Sequence, residues 1–154
     1  MDLAGAVHEA AKRELAAEVI SQYGEVRLKV NGASMLPSVW PGDVLTVHRR
    51  EVAELGTGRI VLFHRDRGLV AHRVVGKRGD DLITRGDSLS CDDPPVRCDE
   101  VLGEVVSIHR NDRSVPLSPV WWHSACSYVV RRSELCTRIL LRLGRLQRQS
   151  WANQ

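Results

Sequence analysis

Between residues 25 and 110, turn residues divide the chain into short strand-like segments, and this spacing restricts the fold more than any other feature. The first segment, residues 25–30, alternates polar and apolar side chains with the two-residue period of a strand. Further segments occupy residues 44–48, 59–63, 69–75, 81–84 and 101–109, most of them after a turn that contains Gly, Asp or Pro. Short strands separated by such close turns predict a mainly β domain.

Helical periodicity flanks this domain on both sides. Apolar residues recur four positions apart near the N-terminus, at Leu3, Val7, Ala11, Leu15 and Val19, and predict an amphipathic helix that ends near Gly24. Residues 120–148 carry a second such pattern, with leucines on one side and arginines on another. The predicted organisation is therefore a helix at 1–24, a β-rich domain at 25–110 and a basic amphipathic helical segment at 111–154.

Composition narrows the function classes. A chain of 154 residues that is 43% hydrophobic can bury the core of one domain. Its net charge of +3 is too small to indicate a nucleic-acid partner, and none is expected. The four cysteines match no zinc-binding spacing, so no metal is expected, and nothing implies a cofactor.

The ends of the chain bear on its location. The N-terminal residues include early charges and no signal-like apolar run, and no segment reaches the roughly 20 apolar residues that span a membrane. The expected location is therefore cytoplasmic or peripheral to a membrane. Trp121, Trp122 and the C-terminal arginines leave three interpretations of that segment open. It is a helix packed on the domain, a helix bound to an anionic membrane surface or a membrane-anchored partner, or a nucleic-acid contact, although no binding motif accompanies the arginines.

One serine lies in a setting that favours reactivity. Ser34 stands in Gly32-Ala33-Ser34-Met35-Leu36-Pro37, at a bend directly after the first predicted strand. A serine nucleophile needs an adjacent base, and the base benefits from an acid that orients it. His72 and Asp93 supply these groups downstream. Taken alone, each residue also fits a structural role, since Asp92-Asp93 before two prolines is typical of a turn.

Five segments in series resemble the conserved boxes of signal peptidases and their relatives, the S24/S26 clan of serine proteases. Ser34 and its bend, followed by Gly42-Asp43, resemble the serine box, and residues 71–75 resemble the box with the general base. The others lie at residues 58–63, 84–93 and 101–106, and the resemblance covers about residues 25–108. Arg59 departs from the family pattern by replacing an acid, and Ser88-Leu89 replaces a pair of asparagines.

The resemblance implies a signal-peptidase or SOS-repressor-like β-rich catalytic domain with a helix at each end. Ser34 would be the nucleophile, His72 the general base and Asp93 the acid that orients it. Asp87 would support the loop or share the acid role. Because His72 stands where typical bacterial enzymes carry lysine, the chain resembles the archaeal and endoplasmic-reticulum type. The motif residues Gly32, Met35 and Pro37 would shape the bend beside the substrate groove.

The expected function is a serine endopeptidase that cleaves an extended segment of another polypeptide, such as a signal- or leader-peptide precursor, after small residues. Two alternatives remain open. One is a self-cleaving relative of the SOS-repressor type, which normally uses a lysine base. The other is a non-catalytic module of the same fold that binds a peptide without cutting it.

Overall fold

A computed structural model describes residues 3–65 and 68–117, and the side chains within these ranges from residue 10 onward. Helix α1 spans Leu3–Tyr23. The strands are β1 (Glu25–Lys29), β2 (Val44–His48), β3 (Ile60–Arg65), β4 (Gly68–Arg78), β5 (Asp81–Arg85), β6 (Val101–Arg110) and β7 (Arg113–Val115). This confirms the prediction of a mainly β fold with an N-terminal helix. Of the predicted C-terminal helical segment at 111–154, residues 113–115 form β7 of the sheet, and the residues from 118 onward lie outside the described residues.

The strands form one antiparallel sheet in the order β1-β2-β6-β3-β4-β5, and β7 pairs with β6. The neighbours β3 and β4 are joined as a hairpin, in which Val61 lies opposite His72. His72 therefore lies in the middle of the longest strand, paired with β3 and directly before Arg73, where the pairing with β5 begins. The strands β1 and β5 end the sheet order, so the segments that carry Ser34 and Asp93 each follow a terminal strand.

Helix α1 packs on the sheet through a face that is not centred on the apolar row of the sequence pattern. Ala16 and Ile20 are 2% and 3% exposed, whereas Leu15 is 62% exposed and Ala11 is also exposed. Two members of the row, Ala11 and Leu15, therefore lie away from the buried face. A β-carbon on Gly103 of β6 would overlap the His48 carbonyl oxygen and lie 3.1 Å from Ile20 Cδ1, so this glycine allows the close approach of β2 and also leaves room for Ile20.

The core has two parts, and the alternating residues of β3 divide between them, with Ile60 and Leu62 in one and Val61 and Phe63 in the other. One joins Ala16 and Ile20 to residues of β1, β2 and β6, and it includes Met35 from the serine bend. The other centres on Phe63 of β3 and Val74 of β4. Within the described residues, no helix is long and apolar enough to cross a membrane.

Candidate active site

The serine bend is anchored by buried apolar side chains. Met35 is 3% exposed and Leu36 is fully buried, and the backbone N–H of Val39 donates to the Met35 carbonyl at 3.0 Å. These contacts turn the chain sharply between β1 and β2 and leave Ser34 half-buried. The apolar residues of the motif thus hold the bend, while its serine lies at the surface of the core.

Three predicted residues meet at this bend. The Ser34 Oγ atom lies 2.9 Å from His72 Nε2, and His72 Nδ1 lies 2.6 Å from Asp93 Oδ2. His72 is 5% exposed. The Asp93 carboxylate accepts a hydrogen bond from Nδ1–H, which leaves Nε2 free to accept a hydrogen bond from the Ser34 hydroxyl. The arrangement can draw a proton from Ser34 onto an imidazole that is already oriented.

Gly86 approaches this group too closely for any side chain. A β-carbon on Gly86 would lie 2.6 Å from the Ser34 carbonyl oxygen and 3.0 Å from His72 Nε2. Both separations are below those of ordinary packing contacts. The glycine of the Gly-Asp motif is therefore required by the space between nucleophile and imidazole.

A family model described as signal peptidase, peptidase S26, matches residues 15–122. The chain belongs to the signal peptidase family S26. The match confirms the family expected from the five boxes, and the family implies a peptidase, which is a hydrolase. No curated protein matches the chain at a significant level.

Thr84 of this S26 peptidase supports the acid, a contact that the motifs did not indicate. Its hydroxyl donates to Asp93 Oδ2 at 2.7 Å, and its carbonyl accepts the Asp93 N–H at 2.8 Å. Thr84 is fully buried. Alternation along β5 places Thr84 on the same face as the buried Leu82, and a polar residue at an inward position needs a partner. That pattern was the available sequence signal.

Ser88 fills the place where the family pattern has asparagine. Its N–H and its hydroxyl both donate to the Ser34 carbonyl oxygen, at 2.9 and 2.8 Å, and the hydroxyl also lies 3.1 Å from the Ala33 carbonyl. The substitution of the asparagine therefore leaves a loop that is hydrogen-bonded to the nucleophile's own peptide group. The sequence identified Ser88 only as a departure from the family.

Asp87, the other candidate acid, lies against different partners. Its carboxylate receives two hydrogen bonds from Arg73, at 2.8 and 2.7 Å, and one from the Ser38 hydroxyl. Arg73 also donates to the Gly58 carbonyl at 2.7 Å. These contacts connect the loop that begins with Gly86-Asp87 to β4 and to the serine bend.

The predicted groove residues differ in their surroundings. Met35 belongs to the core, whereas the space next to Gly32 is open, with no atom within 4 Å of where a β-carbon would stand. The Pro37 carbonyl accepts a hydrogen bond from Trp40 Nε1 at 2.9 Å. Trp40 in turn lies against Arg110, which forms a bidentate pair with the buried Asp43. The Gly42-Asp43 turn, which follows the serine bend, is thus attached to β6.

Away from the three residues that meet at the serine bend, the described residues include a surface pocket and a carboxyl with a shifted pKa, but no metal-binding cluster. No cluster of three or more His, Cys, Asp or Glu side chains in the described ranges is arranged to hold a metal. A surface pocket of about 430 Å³ is lined by residues such as Arg49, Lys77 and Cys98, and by none of the three residues at the bend. On the exposed surface, a hydrogen bond from Arg97 lowers the pKa of the Asp99 carboxyl.

Proposed function

We propose that this S26 peptidase is a serine endopeptidase with Ser34 as nucleophile, His72 as general base and Asp93 as the orienting acid. One observation carries the proposal, the continuous chain of contacts from Ser34 Oγ to His72 Nε2 at 2.9 Å and from His72 Nδ1 to Asp93 at 2.6 Å. Hydroxyl, imidazole and carboxylate in this order form the catalytic unit of serine hydrolases on unrelated folds.

The chemistry follows from these positions. Ser34 Oγ attacks the carbonyl carbon of the scissile peptide as its proton passes to His72 Nε2. The C–N bond then breaks, and His72 returns the proton to the leaving amine, which gives an acyl-enzyme. Water attacks the ester with His72 again as base, and the acid product leaves with Ser34 restored. The Ser34 N–H stabilises the developing oxyanion.

An extended polypeptide segment is the proposed substrate. Strand β1, which precedes Ser34, ends the sheet order, and a terminal strand offers hydrogen-bonding groups to an added strand. Strand β5 ends the order on the other side, but its edge already pairs with Val96 through Leu82. The family match supports a signal- or leader-peptide-like precursor, cleaved after small residues, as this segment.

The identity of the base supports the archaeal and endoplasmic-reticulum subtype. His72 occupies the position that carries lysine in typical bacterial enzymes, and its imidazole contacts Ser34 directly. The nearest lysine along the chain, Lys77, instead donates to the Val52 and Ala53 carbonyls at 3.3 Å each. A histidine suits the role because imidazole exchanges protons close to neutral pH.

Cleavage of a mixture of unstructured peptides, with products identified by mass spectrometry, tests the proposal. Ser34→Ala and His72→Ala should each lower kcat by more than about 10³-fold, because either change removes the proton transfer that activates the nucleophile. Ser90→Ala and His64→Ala are matched controls, because neither side chain contacts Ser34, His72 or Asp93 through its hydrogen bond. Ser90 contacts Cys91, and His64 contacts the Asp99 carbonyl.

Two results would contradict the proposal. Cleavage at the wild-type rate by Ser34→Ala would exclude Ser34 as the nucleophile. Peptide binding without cleavage by the wild-type chain would favour the non-catalytic module.

A further inference from the structure

The segment directly after Asp93 lacks the backbone donors that would attach it to the sheet. Asp93 is held by its N–H bond to the Thr84 carbonyl, and Val96 exchanges two backbone hydrogen bonds with Leu82 at 2.8 and 2.9 Å. Pro94 and Pro95 lie between these anchors and have no N–H to donate. Of the backbone polar groups of these two residues, only the carbonyl oxygens can form hydrogen bonds.

Arg65, at the end of β3, binds both of these carbonyls. Its Nη2 atom donates to the Pro94 oxygen at 2.9 Å and to the Pro95 oxygen at 3.1 Å. The Arg65 side chain is 20% exposed, and the Glu100 carboxylate lies 3.9 Å from the same nitrogen. Hydrogen bonds from a charged donor in a partly desolvated position are stronger than those between neutral groups.

The same guanidinium contacts the packing around the imidazole. It lies over the Phe63 ring, 5.4 Å from the ring centroid, and Phe63 is fully buried. The Phe63 ring in turn meets the His72 ring edge-on, with centroids 6.1 Å apart. One side chain thus touches the loop that carries Asp93 and the aromatic ring that packs against His72.

We propose that Arg65 is a positioning residue of this peptidase, which clamps the Pro94 and Pro95 carbonyls against the Phe63 ring and so keeps Asp93 aligned with His72. The inference rests on the proposed function, in which Asp93 and His72 act on Ser34. Arg65 lies outside the five boxes that carry the family resemblance, so the role is a property of this chain's own contacts.

Arg65→Gln tests the clamp, with Arg97→Gln as the matched control. Arg97 follows the same loop but pairs with Asp99 on the surface, where its side chain is 70% exposed. Loss of the clamp should lower kcat by roughly 10- to 100-fold with little change in KM, because small misplacements of catalytic groups have effects of this size. Arg97→Gln should retain the wild-type kcat.

A second measurement reports on the alignment without needing turnover. In Arg65→Gln the His72 Nδ1 proton should exchange faster with solvent, so its proton NMR signal should broaden or disappear. In Arg97→Gln the signal should persist. Arg65→Lys keeps the charge and most of the side chain, and it is the second variant to measure if Arg65→Gln does not fold. It should weaken the same signal. In an Asp93→Asn background, Arg65→Gln should cause no further loss of kcat.

The outcomes separate this inference from the proposed function. An unchanged His72 signal together with a wild-type kcat in Arg65→Gln would overturn the clamp. If the wild-type chain shows no Ser34-dependent cleavage, the proposed function fails, and the NMR comparison of Arg65→Gln with Arg97→Gln alone decides whether Arg65 aligns the two side chains.

Discussion

At the scale of single residues, two aspartates in one loop have separate partners. Asp93 contacts His72 and Thr84, whereas Asp87 contacts Arg73 and Ser38. The side chains of Arg73 and Asp87 are only 9% and 4% exposed, so this ion pair is buried. We infer that Asp93 acts in the reaction and that Asp87 acts in the stability of the loop.

Substitution of each aspartate by asparagine separates these roles. Asp93→Asn should lower kcat by roughly 10²- to 10⁴-fold with little change in the free energy of unfolding, because the imidazole loses its carboxylate partner. Asp87→Asn should lower the free energy of unfolding by on the order of 3 kcal/mol, because Arg73 is left buried without a countercharge. Peptidase assays and urea unfolding measure the two effects. The assignment of the acid is wrong if Asp87→Asn abolishes cleavage in a fully folded protein while Asp93→Asn is active.

Gly86 offers a second test at the residue scale. Gly86→Ala should lower kcat by about 10²-fold or more, because the added methyl group would overlap the Ser34 carbonyl and press on the His72 ring. Gly76→Ala is the control, since a β-carbon there meets no atom within 4 Å. The two variants should be compared by steady-state kinetics and by circular dichroism. Equal activity of both would show that the close approach at Gly86 is not required.

At the scale of elements, the helix shows how a sheet selects one face of an amphipathic segment. A spacing of four residues places Leu15 and Val19 in line, but it places Ala16 and Ile20 in line equally well. Gly103 on β6 provides the space that Ile20 fills, and the rotation that buries Ile20 leaves Leu15 in solvent. The packing surface, rather than the helix pattern, therefore determines the buried face.

Truncation of the two side chains measures this orientation. Ile20→Ala should lower the free energy of unfolding by about 2–5 kcal/mol, because it removes a buried side chain from the core. Leu15→Ala should change it by no more than about 0.5 kcal/mol, because that side chain is 62% exposed. Thermal and urea unfolding followed by circular dichroism give both values. A larger loss for Leu15→Ala would contradict the observed face.

At the scale of the whole molecule, antiparallel pairing assembles the site from distant parts of the chain. Ser34 precedes β2, His72 lies within β4 and Asp93 follows β5, and the sheet brings the three side chains within hydrogen-bonding distance. The basic segment from residue 118 onward lies outside the described residues. The proposal that it binds a membrane surface rests on its tryptophans, leucines and six arginines.

Vesicle binding tests that proposal on the full chain. Co-sedimentation with vesicles that contain anionic lipid should exceed that of a chain ending at Val115, since each arginine near a charged leaflet contributes about 1 kcal/mol. Vesicles of neutral lipid are the control and should bind the full chain more weakly. Equal sedimentation of the two chains with anionic vesicles would favour a helix packed on the domain.

By itself, the sequence determined the mainly β class, the S26 family and the three residues proposed for catalysis. Strand periodicity, turn residues and motif boxes are local patterns, so they can be found along the sequence without knowledge of the fold. Tertiary structure decided which aspartate contacts His72, which helix face is buried, and that Thr84, Ser88 and Arg65 contact the site. These outcomes depend on distances between residues far apart in the chain, and only the packed sheet sets those distances.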